Sequence, residues 1–135
     1  MANETTVRVV ETGASPFAVA ITVGKFNLIG DEPPELDGAN LGPAPYDFLT
    51  IALAECTAMT IRWYARQQGW PLDRVQVTVT HAKRDRIDTF RKRIEIEGPL
   101  LSAEQRAKLR EVADKCPVHR TLLGTPEFST EADDA

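Results

Sequence analysis

Two cysteines, Cys56 and Cys116, are the side chains best suited to chemistry in this 135-residue chain. A thiolate attacks electrophilic oxygen or sulfur, and two thiols that meet can cycle between dithiol and disulfide. Bridging requires Cα atoms about 4.4 to 6.8 Å apart, which far-separated residues reach only through the fold. The competing reading is two small core residues, since free cysteine is among the most buried residue types. His119 follows Cys116 by three positions and Arg120 by four, offering a proton relay and a cation. With two histidines, two cysteines and no CxxC or HxxxH spacing, a structural zinc site is not expected, and no metal or cofactor is called for.

The elements that must carry these residues are legible. Residues 42–69 form the longest apolar helix available: Pro43 and Pro45 suit its entrance, Asp47 its first turn, Arg62 and Arg66 its last turns. Gly69 supplies the stop before Pro71. At about 100° per residue, Leu49, Ala52, Leu53, Cys56, Met59, Thr60 and Trp63 share one face, predicted to be buried in a core or an interface. Ser102-Ala-Glu-Gln105 matches a capping box and opens a second helix, with Leu101, Leu109, Val112, Ala113 and Cys116 as its apolar stripe. Pro117 ends that helix or starts a new turn.

Strands are expected over Val7 to Val10, Phe17 to Val23 and Phe26 to Ile29, and a long antiparallel hairpin over Val75 to His81 and Phe90 to Ile96. His81 lies on the valine face of that hairpin and reads as a local hydrogen-bonding residue. A last short strand is expected near Pro126 to Thr130, and residues 131–135 are expected to fray from an otherwise single domain. Residues 30–45 read as a loop.

Sixteen basic and twenty acidic residues give a net charge of -4, which argues against nucleic-acid or anionic-membrane partners. The first residues carry no charged n-region and apolar h-region, so no secretory signal is visible and a cytoplasmic protein is expected. In a reducing compartment paired cysteines are redox-active or metal-binding more often than structural.

Three stretches resemble the OsmC/Ohr family of osmotically induced and organic hydroperoxide resistance proteins. They are Gly42-Pro43-x-Pro45-Tyr46-Asp47-x-Leu49, Ala52-Leu53-Ala54-x-Cys56-Thr57-Ala58-Met59-Thr60, and Ala113-Asp114-Lys115-Cys116-Pro117-Val118-His119-Arg120-Thr121-Leu122. The resemblance runs to about Phe128 and includes Arg66 to Leu72. It implies an α/β (α+β) OsmC-like fold, with antiparallel sheets around a long central cysteine-bearing helix in an intertwined homodimer. It also implies a hydroperoxide reductase in which Cys56 is peroxidatic and Cys116 resolving, recycled by an external dithiol. Leu49, Leu53, Met59 and Trp63 would give an apolar substrate pocket.

One part of the family pattern is missing. Hydroperoxide-resistance members pair an arginine in the first hairpin with a glutamate ten positions before the peroxidatic cysteine. Here that position holds Tyr46, and Glu11 to Pro16 contains no arginine. Asp47 or Glu55 are the acids left to substitute, and Arg120, Arg62, Arg8 or Lys25 the cations, Arg120 first because it travels with the Cys116 motif. Two other readings share these residues: a non-catalytic dimeric module binding a small apolar ligand or a partner, and a general thiol-disulfide oxidoreductase.

Overall fold

A computed structural model describes residues 4–134. The expectations for the first residues and for the end of the tail extend past that range. The chain forms two compact units, residues 1–49 and 50–135 by sequence.

In the first unit β1 (Val7–Glu11), β2 (Val19–Val23) and β3 (Phe26–Gly30) make an antiparallel sheet in the order β1-β2-β3. Pairing runs from Val7↔Val23 to Glu11↔Val19, and from Val19↔Gly30 to Val23↔Phe26. The following loop is ordered around Asp31. Its carboxylate accepts from the Ser15 hydroxyl and the Glu32 amide, both at 2.8 Å, and from the Ala39 and Leu41 amides at 3.0 and 3.2 Å. Burial opposes the charge, yet these four donors outweigh it and hold the Asp31 carboxyl below its ordinary 3.8. Gly42 passes so close to the Ile29 carbonyl that any Cβ there would collide with it.

Helix α1 (Pro45–Gln68) begins where the sequence predicts it. Asp47 turns back to accept from the Ala44 amide at 2.9 Å, so this acid caps the helix entrance. Gly69 then takes φ 69, a left-handed conformation cheap only without a side chain, and the helix stops.

The second unit carries the hairpin of β4 (Arg74–Arg84) and β5 (Ile87–Glu97), paired from Arg74↔Glu97 to Arg84↔Ile87. Asp85 and Arg86 both adopt positive φ at its tip, the twist a two-residue hairpin turn demands. Helix α2 (Ala103–Val112) shows the expected capping box: the Ser102 hydroxyl accepts from the Gln105 amide at 3.0 Å, and the Gln105 side chain from the Ser102 amide at 2.9 Å. A 3-10 turn (Ala113–Lys115) follows, and Pro117 opens α3 (Pro117–Leu123), so the proline both ends one helical run and starts another. The predicted stripe of Leu101, Leu109, Val112, Ala113 and Cys116 is buried throughout. Leu101, Leu109 and Ala113 of it join Ile61, Ala65 and Leu72 in one core cluster, against which Val75, Ile94 and Ile96 of the hairpin pack.

One expectation fails. Residues 126–130 form no strand: Pro126 donates no amide, and Phe128 stands 91% exposed with nothing to pair against. The stripe of α1 buried within this chain is Leu53, Thr57, Ile61 and Ala65, centred about a third of a turn from the face expected to lie in a core or an interface. Threonine counts as polar in an apolar pattern, but its hydroxyl is satisfied inside the helix, so Thr57 packs where a more hydrophobic residue was expected.

Candidate active site

Cys56 sits one position before the buried stripe of α1 and is half-buried. Cys116 is fully buried at the junction of the 3-10 turn and α3. The fold brings them together. The Cys56 thiol is within hydrogen-bonding reach of Cys116, and the neighbouring Thr57 hydroxyl lies 3.7 Å from the Cys116 sulfur. Both thiols are free. Thr60, one turn on, lies 4.0 Å from the Cys56 sulfur.

Cys116 is the side chain that caps α3. Its sulfur accepts from the His119 amide at 3.3 Å. Nearby, Lys92 reaches in from β5 with its side chain only 9% exposed. Its ammonium donates to the Ala113 carbonyl at 2.7 Å and to His119 Nδ1 at 2.8 Å. An ammonium has no lone pair, so Nδ1 must accept, which puts the imidazole proton on Nε2. Asp114 stands 3.8 Å from Lys92 as a loose, exposed counter-charge.

These contacts decide the acidity of Cys116. Burial pushes the thiol up, but the His119 amide, the Thr57 hydroxyl, the Cys56 thiol and the Lys92 charge together bring it below its ordinary 9.0. Thr57 has one proton and in this geometry gives it to the Leu53 carbonyl at 2.7 Å. Leu53 keeps its helical amide partner when that hydroxyl rotates, so Thr57 can turn its proton to a Cys116 thiolate without orphaning a carbonyl.

Among the described residues, the other expected site residues make no hydrogen bond to either sulfur. Arg120 is exposed, and among the described residues no side-chain hydrogen bond or ion pair involves it. Arg62 donates to the Leu72 and Asp73 carbonyls at 2.8 and 3.0 Å, tying α1 to the start of β4. Arg8, Lys25 and Glu55 are exposed, and Lys25 lies over the Phe26 ring. His81 bonds Asp88 across its hairpin at 2.8 Å, a local role as expected. Leu53 is 2% exposed, whereas Leu49, Met59 and Trp63 are open at 42%, 61% and 60%. An apolar cleft of about 400 Å³ does exist within residues 1–49, lined by Val9, Phe17, Val19, Ile21 and Phe48 among others, and it contains none of the four.

Lys92 is the functional candidate that sequence reading passed over. The period of two in β5 places it on the same face as Phe90, Ile94 and Ile96, and a lysine at an inward position is itself a signal. Among the described residues no cluster of His, Cys, Asp or Glu is arranged to hold a metal ion. No helix among them is long and apolar enough to cross a membrane.

A pair of adjacent thiols beside a cation, on a scaffold of antiparallel sheets and one long helix, defines a dithiol protein of mixed α/β architecture. The family is settled by comparison: residues 38–131 match the family model described as OsmC-like protein, and the chain belongs to that family. Comparison with curated protein sequences gave no match. Solved structures share the fold. An OsmC-like protein from Mycoplasma pneumoniae is 22% identical with a TM-score of 0.74, covering 92% of this chain and 90% of its own. A Legionella pneumophila structure described as an organic hydroperoxide resistance protein is 18% identical with a TM-score of 0.64, covering 92% of both chains. The organic hydroperoxide resistance protein OhrB of Bacillus subtilis is 18% identical with a TM-score of 0.61, covering 90% of this chain and 92% of its own.

Proposed function

We propose that this protein is a thiol peroxidase that reduces organic hydroperoxides through Cys56 and Cys116. The observation that carries the reading is that the Cys56 thiol lies within hydrogen-bonding reach of Cys116, whose own thiol is held below its ordinary 9.0. The half-buried Cys56 attacks the peroxide oxygen and passes its proton to Cys116. The O–O bond breaks, the alkoxide takes that proton from Cys116 and leaves as alcohol, and Cys56 remains as sulfenic acid. The Cys116 thiolate then attacks the Cys56 sulfur, the S–O bond breaks, the departing hydroxide takes a proton from solvent to leave as water, and a disulfide closes. An external dithiol reopens it, in a reducing compartment such as the cytoplasm.

A homodimer belongs to the same proposal. Ile51, Met59 and Trp63 expose large apolar surface on α1, more than an isolated helix face in water explains. A second copy covering them would enclose Leu49, Met59 and Trp63 as a pocket for an apolar hydroperoxide.

Purified protein is expected to consume cumene hydroperoxide in the presence of dithiothreitol, and Cys56→Ser to abolish turnover; equal rates in the two would overturn the assignment. Cys116→Ser should accumulate a Cys56 sulfenic acid that dimedone traps. Failure to form the adduct would count against the assigned order of the pair.

A further inference from the structure

The two sulfurs differ in access and in electrostatic setting. Cys56 is half-buried while Cys116 is 0% exposed. Around Cys116 stand the Cys56 thiol and Thr57 from α1, the His119 amide from α3, and the ammonium of Lys92 from β5, with Asp114 as that ammonium's exposed counter-charge. Lys92 is held in place at both ends of its reach: its Nζ is fixed to the Ala113 carbonyl and to His119 Nδ1, and its backbone is locked opposite Val79 in the hairpin. Thus Cys56 is the more accessible of the two residues, and Cys116 is set where negative charge is stabilised.

We propose that Lys92 is a positioning residue that fixes the polarity of the Cys56–Cys116 disulfide, so that a reductant attacks Cys56 and Cys116 is the departing sulfur. The inference rests on the redox pairing proposed above. A reductant thiolate forms a bond to the Cys56 sulfur; the Cys56–Cys116 bond breaks, and its electron pair leaves on Cys116 as thiolate beside Lys92. The second thiol of the reductant, once deprotonated, attacks its own sulfur in the mixed disulfide and expels Cys56, which takes up a proton. The reductant ends as its disulfide and both protein thiols are restored. A more acidic leaving thiol departs faster, so the charge of Lys92 acts on recycling as well as on the resting thiol pair.

The test uses disulfide formed with diamide, which needs no hydroperoxide chemistry. Wild type, Lys92→Gln, Lys92→Met and Lys92→Arg are oxidised, checked for folding by circular dichroism, and reduced with excess dithiothreitol from pH 6 to 9. Lys92→Gln keeps hydrogen-bonding capacity without charge, and Lys92→Arg keeps charge. Reduction should slow on the order of threefold per unit of lost leaving-group acidity in the Gln and Met variants, and Arg should recover most of the rate. In the reduced proteins the thiolate absorbance near 240 nm should titrate at higher pH in Gln and Met than in wild type or Arg, and Cys116→Ser should remove that titration.

A glutathione pulse quenched with N-ethylmaleimide should leave glutathione on Cys56 and maleimide on Cys116. Glutathione on Cys116, equal reduction rates across the variants, or no diamide disulfide at all would overturn the proposal. Were the diamide experiments to come out as expected while hydroperoxides go unconsumed, the polarity would stand and the peroxidase reading would fall. The converse pattern would sink Lys92's role alone.

Discussion

At the scale of single residues, the site turns on who holds a proton. Thr57 carries one hydroxyl proton between the Leu53 carbonyl at 2.7 Å and the Cys116 sulfur at 3.7 Å. Thr57→Val keeps the volume and removes the hydroxyl, so a Cys116 thiolate loses a donor and the thiol should titrate at higher pH. Thiolate absorbance near 240 nm followed against pH would report this, and an unchanged profile would show that Thr57 never turns toward the sulfur. The linkage has a definite sign: a thiol made more acidic by folding stabilises the folded state fully above its ordinary 9.0, and that contribution is lost as pH falls through the lowered value. The cysteines and their motif were legible as residue types. Lys92 was not, because Arg91-Lys92-Arg93 reads as one basic run, and only strand alternation separates the inward middle residue from its outward neighbours.

At the scale of elements, local chemistry was well written into the sequence wherever a side chain meets its own backbone. The capping box at Ser102, the helix stop at Gly69 and the restart at Pro117 all act within a few residues and could be read directly. The Asp31 knot joins residues from Ser15 to Leu41, and such distant donors leave no spacing signal. Asp31→Asn keeps the shape but replaces one carboxylate oxygen with an amide nitrogen, leaving amide donors facing a donor. Faster hydrogen exchange at the Ala39 and Leu41 amides is the expected outcome. In the unsubstituted protein the same loosening should appear below pH 3.8, since a carboxyl held below that value stabilises the fold above it and loses its effect as pH falls through the lowered value. Full protection of both amides in Asp31→Asn would mean the loop is held by other contacts.

For the whole molecule, the face of α1 predicted from periodicity and the face its own chain covers are different, and the difference itself is informative. Apolar patterning reports every surface a helix hides, including any hidden by another molecule, whereas burial within one chain reports only part. Leu53 and Ile61 are covered here; Met59 and Trp63 are not. If a second copy covers them, Trp63→Asp and Met59→Asp should shift the protein from dimer to monomer in analytical ultracentrifugation, with catalysis reduced because the pocket is then open to water. A variant that stays dimeric would place the interface elsewhere.

The anchoring of Arg62 has a mechanical corollary. Its guanidinium holds the cysteine-bearing helix to the Leu72 and Asp73 carbonyls, so that side of the pair is moored. A covalent S–S bond of about 2.05 Å is shorter than any hydrogen-bonded contact between sulfurs, so the proposed redox cycle would require the gap to close. On that proposal the travel would fall to the short 3-10 turn ahead of Cys116. Since Ala113 in that turn also takes a hydrogen bond from Lys92, the same closure would tug on the cation beside Cys116.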